Sequence, residues 1–90
     1  MATPEARISA ISNELKGRLG DDSGVPRNIR KGATDAVSHL MNTSKPIDLR
    51  VSNAINILAD LSTAPNIPME SWSTIMQILS DLEAVLKDVI

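Results

Sequence analysis

Residues 46–61, PIDLRVSNAINILADL, and 68–86, PMESWSTIMQILSDLEAVL, decide the fold. In the first, Ile47, Val51, Ala54, Ile55, Leu58 and Leu61 recur about one helical turn apart, and in the second Trp72, Ile75, Met76, Leu79, Leu82 and Leu86 do the same. That spacing returns apolar side chains to one side of a helix with 3.6 residues per turn. Each run opens on a proline, Pro46 and Pro68, which the first turn accepts because its N–H groups have no intrahelical acceptor. STAPNIP (62–68) separates the two helices.

Working outward, Asn42-Thr43-Ser44 is a polar break, and before it Pro26 opens a helix whose apolar face is Ile29, Ala33, Ala36, Val37 and Leu40. DDSGVP (21–26) is a turn. Glu5 to Leu19 carries Ile8, Ile11, Leu15 and Leu19 in a stripe about 80° wide, with Gly20 as its stop. No stretch alternates at period two for long enough to suggest a sheet. A shift of 42 residues lays Leu15 on Ile57, Leu19 on Leu61, Val25 on Ile67, Pro26 on Pro68, Ala36 on Ile78, Val37 on Leu79 and Leu40 on Leu82. The expectation is an all-α, up-and-down four-helix bundle made of two similar αα-hairpins, residues 4–41 and 46–90, within a single domain over residues 1–90.

Composition agrees with a folded chain: 42% hydrophobic and 22% charged residues, with a net charge of −2. Cysteine is absent, which excludes disulfides, thiolate metal sites and a cysteine nucleophile. The amino-terminal MATPEARISAISNEL lacks the basic start and long apolar run of a signal peptide, and no apolar run reaches the roughly 18 residues of a membrane span. No membrane association and a cytoplasmic location are therefore expected. Trp72 is the one aromatic residue, so stacking platforms for single-stranded nucleic acid are missing.

The run VPRNIRKGATDAV (25–37), with AINILADLSTAPNIP (54–68) and the closing WSTIMQILSDLEAV (72–85), resembles an archaeal family of short, all-helical, uncharacterised proteins. The resemblance covers nearly the whole chain. It implies the helical fold and an archaeal, intracellular setting, and carries over no functional residue.

Chemistry is sparse. His39, the single histidine, follows Asp35 by one turn and reads as half of a solvated pair. Asp21-Asp22 reads as a solvated turn that is too short to supply a calcium cage, and no glycine pattern matches a phosphate loop. No catalytic, metal or cofactor-binding residue is assigned. Gly17 and Gly32 lie inside helices, at about 1 kcal/mol each against alanine, which suggests close helix approach at both.

Two surface features remain. Arg27, Arg30 and Lys31 form a basic face on the second helix, able to contact an anion or an acidic partner near that helix's positive end. Residues 1–45 carry seven Lys or Arg against five Asp or Glu, net +2, whereas residues 46–90 carry two against six, net −4. The third and fourth helices, moreover, are apolar over roughly half their circumference, more than one core needs. Trp72, Met76, Ile78, Val85 and Val89 are candidates for an interface, most economically a two-fold homodimer. The functional expectation is a non-enzymatic helical protein-interaction or scaffold module, with weak RNA or ribonucleoprotein association through the basic face as the alternative.

Overall fold

The structure is a computed structural model that describes residues 2–90. Four α-helices, α1 (Pro4–Leu15), α2 (Arg27–Leu40), α3 (Ile47–Leu61) and α4 (Met69–Val89), and one π-helical turn, Lys16–Gly20, account for the regular structure, and no strand occurs among the described residues. The fold is all-α. Each helix packs on its neighbours in sequence and α4 closes the ring onto α1, as short connections between antiparallel helices dictate. α4, at 21 residues and therefore about 31 Å, sets the long dimension of a 34 × 22 × 19 Å body.

Three helices begin alike. Pro26, Pro46 and Pro68 each hold the extended φ/ψ of a cap, and their carbonyls accept the backbone N–H of Arg30, Arg50 and Trp72 at 3.0, 3.1 and 2.9 Å. α1 instead uses Thr3, whose hydroxyl accepts from the Ala6 N–H at 3.1 Å. One core takes residues from all four helices: Ile8 and Leu15, Ile29 and Leu40, Val51 and Leu58, Ile75 and Leu82 are all sealed from solvent.

The internal duplication is visible in the burial pattern, with one correction to the 42-residue shift. Ala33, Ala36 and Leu40 correspond to Ile75, Ile78 and Leu82 at a shift of 42, whereas Ile8, Ile11 and Leu15 correspond to Val51, Ala54 and Leu58 at a shift of 43. The buried counterpart of Leu15 is thus Leu58, and Ile57 is only half-buried. Hairpin one holds one residue more between these blocks. It is absorbed where α1 continues as a π-helical turn, Lys16–Gly20, in which the Asp21 N–H reaches back five residues to the Lys16 carbonyl at 2.8 Å. The extra residue lets Leu15 and Leu19, four apart, both point inward, where hairpin two uses Leu58 and Leu61, three apart.

Gly32 is a close-approach position: a Cβ there would lie 2.4 Å from a Leu61 methyl, so the Leu61 side chain of α3 occupies the space that a side chain on α2 would need. Gly17 is not, since a Cβ there meets nothing within 4 Å; its place is in the π turn rather than at a helix crossing. Near the same end of the bundle, Asn28 and Asn66 exchange side-chain amide hydrogen bonds of 3.1 and 2.8 Å, tying the start of α2 to the α3–α4 connection.

Candidate interaction surface

α4 presents two rows of side chains. Ser71, Ile75, Ile78, Leu82 and Val85 face the core, and Val89 continues their line half-buried. A second row, offset by about a quarter turn, runs Met69, Trp72, Met76, Leu79, Glu83, Leu86, Ile90 at alternating steps of three and four. Leu79 and Leu86 form its floor, at 9% exposure and half-buried. The others stand out: Met69 is 76% exposed, Trp72 41%, Met76 42% and Ile90 82%, with Glu83 exposed between them. Ile67, Met69 and Trp72 line a groove of about 290 Å³ at the amino-terminal end of this row.

The interface expected from sequence is thereby divided. Trp72 and Met76 lie on the surface, but Ile78 and Val85, at 0% and 1% exposure, belong to the core. The excess apolar width of α4 on that flank is covered by α1, whose Ala10 and Ile11 share a groove with Ala84 and Val85, and whose Arg7 pairs with Asp88. A helix flanked by two neighbours needs a wider apolar face than a single-core stripe, which is why Ile78 and Val85 are internal.

The basic face of α2 is weaker than its sequence suggests. Lys31 is held by Asp35 at 3.0 Å, so Asp35 serves Lys31 rather than His39, which is exposed. Arg30 is half-buried and its Nε has no hydrogen-bond partner, so of the three only Arg27 and the Asp35-paired Lys31 are exposed. Among the described residues, no three His, Cys, Asp or Glu side chains are placed to hold a metal ion. No helix among them is long and apolar enough to cross a membrane.

One charged site escaped the sequence reading. Arg50, 3% exposed, donates Nε and Nη2 to the Leu40 carbonyl at 2.9 and 2.6 Å, and Nη1 and Nη2 to the two carboxylate oxygens of Glu5 at 2.6 and 3.3 Å. Leu40 ends α2, so the guanidinium satisfies an orphan carbonyl at the helix's negative end. Its hydrogen bonds hold the Glu5 carboxyl below the usual carboxylate value; partial burial opposes this and the Arg50 charge adds to it. The available signal was Arg50's position inside the Ile47, Val51, Ala54, Leu58 stripe, where a solvated cation does not belong.

Taken together, these features define a small helical bundle whose distinctive surface is an apolar row on one helix. Among proteins of known sequence, the model of the "Uncharacterised protein family (UPF0147)" matches residues 1–85, and the chain belongs to that family. A family protein of Pyrococcus abyssi is 38% identical over 85 residues, covering 94% of this chain and 99% of the relative. One from Sulfurisphaera tokodaii is 41% identical over 81 residues, covering 90% of each. A crystal structure of a protein of unknown function superposes with a TM-score of 0.87 at 35% identity, covering 92% of this chain and 93% of the other. A family protein from Thermoplasma acidophilum gives 0.81 at 29% identity, covering 88% and 92%.

Proposed function

We propose that this chain is a non-enzymatic protein-interaction module that docks a partner along the outer row of α4. The observation that carries the reading is the outward display of Met69, Trp72 and Met76 together beside an apolar groove, in a chain whose other large apolar side chains among the described residues, Met41, Leu49 and Ile90 apart, are buried or half-buried. Exposed tryptophan and methionine in one patch suit recognition, because tryptophan supplies contact area at little entropic cost and methionine adapts its shape. A two-fold homodimer through the same row has less support, because the charged Glu83 interrupts it. RNA association through Arg27, Arg30 and Lys31 has less support, since Asp35 already neutralises Lys31 and Arg30 is half withdrawn.

The test is a triple variant, Met69→Ser, Trp72→Ser and Met76→Ser, whose exposed positions leave the core intact. A partner recovered from the source cells, purified and mixed again with each protein, should bind the parent chain and lose at least tenfold in affinity for the variant. Equal affinity for both would reject this surface.

A further inference from the structure

We infer that the outer row of α4 receives a helix from a different protein, and that this helix places a lysine or arginine opposite Glu83 with apolar side chains over Met69, Trp72 and Met76. The inference rests on the interaction-module reading and adds the chemistry of the partner. The steps from Met69 to Ile90 repeat every seven residues, the spacing at which two helices keep a continuous seam. Helix-in-groove recognition uses anchors at this spacing.

Glu83 is the one charged residue in the seam. Its carboxylate makes no ion pair among the described residues, not even with Lys87 one turn on, and Lys87 is the only cation of α4. A second copy of the chain is a poor occupant for that reason. Aligned in parallel over the whole row, it sets Glu83 against Glu83; aligned antiparallel over the whole row, it sets Glu83 against Trp72 or Leu79. Either arrangement buries two carboxylates with no cation between them, and taking a charge out of water unpaired is costly. A staggered copy that avoids this leaves half the row uncovered. A foreign helix with a cation at this level meets neither problem, and the interruption then selects the partner and its register. The wider field points the same way: residues 46–90 carry a net −4, and Arg50, one of their two cations, is spent on Glu5.

The probes are three synthetic helical peptides of 21 residues with leucine at the seam positions, differing at one central seam position that holds lysine, glutamate or leucine. The emission of Trp72 reports binding, and thermal unfolding verifies that each variant is folded. Expected are a blue shift of Trp72 with the lysine peptide, affinity at least tenfold above that of the glutamate peptide, and reversal of this preference in Glu83→Lys. Glu83→Leu, with its continuous apolar seam, should self-associate at tens of micromolar where the parent chain sediments as a monomer. Equal binding of the lysine and glutamate peptides, unaltered by Glu83→Lys, would overturn the partner chemistry while leaving the docking surface standing. No response of Trp72 to any of the three would overturn the surface itself. A parent chain that is already dimeric, with Trp72 emission blue-shifted and insensitive to peptide, would assign the row to a second copy and overturn the inference.

Discussion

Replacing Arg50 by methionine removes the guanidinium while keeping a side chain of similar length in the core. Two opposing magnitudes set the outcome. Breaking a fully buried ion pair costs about 3–5 kcal/mol because the remaining charge is stranded. Glu5 is not stranded: its side chain is 60% exposed and returns to water when its partner goes. The loss falls instead on the Leu40 carbonyl, which forfeits two charged donors at a helix end that the new side chain seals from solvent, about 1–3 kcal/mol. Relief of the guanidinium's own desolvation reduces this somewhat, so the expected loss is about 1–2 kcal/mol. For a chain of this size that lowers Tm by roughly 5–15 °C, with an unchanged denaturant slope in urea. The pH dependence supplies a second readout. The folded chain holds the Glu5 proton less tightly than the unfolded chain does, so the ion pair's stabilisation is fully present above pH 4.5 and is lost as pH falls through the lower, folded value. Arg50→Met should remove this part of the acid slope, and Glu5→Gln should remove it too. Arg50→Met as stable as the parent, with the acid slope intact, would refute the assignment of a structural role to this cation.

The two helical glycines should respond in opposite directions to the same change. Gly17→Ala adds a methyl to open space and should raise stability by about 0.5–1 kcal/mol, read from the urea midpoint. Gly32→Ala drives a methyl into Leu61; an overpacking cost of about 1–3 kcal/mol outweighs the helix-propensity gain, and Leu61→Ala in the same chain should recover part of the loss. Ser12→Ala should be neutral or stabilising by up to about 1 kcal/mol, because the Ser12 hydroxyl is buried without a hydrogen-bond partner. Thr3→Ala should lower stability by about 1 kcal/mol through the lost cap of α1.

The four helices were legible because apolar periodicity and proline act locally, within one turn of the residues that carry them. Pro26, Pro46 and Pro68 mark the three helix starts as read from sequence, but each stands one residue before its helix, as the cap, rather than in the first turn. What the sequence could not supply is which flank of a wide apolar face meets a neighbour. Ile78 and Met76 are equally plausible surface residues by periodicity, and only the packing of α4 against its two neighbours, α1 and α3, draws the first into the core and leaves the second exposed. The π turn was hidden for a related reason. Its signature is a change of offset between repeats, from 43 to 42, and this emerges only when buried residues rather than similar residues are aligned.

Arg50 and Glu83 present the same anomaly, a charge inside an apolar row, and differ in where the answer lies. Arg50 interrupts the inner row of α3, and every donor atom it brings finds an acceptor in this chain: the end of α2 and the start of α1. A mis-registered α3 would separate the guanidinium from both, so the charge fixes how the hairpins dock at the cost of its own desolvation. Glu83 interrupts the outer row of α4 and finds no cation within the described chain. In water that costs nothing, and the monomer tolerates it. Under a docked helix it costs what any unpaired carboxylate costs, unless the helix brings the cation. The residue that leaves the isolated chain undisturbed is therefore the one that discriminates most strongly among the helices that can cover its row.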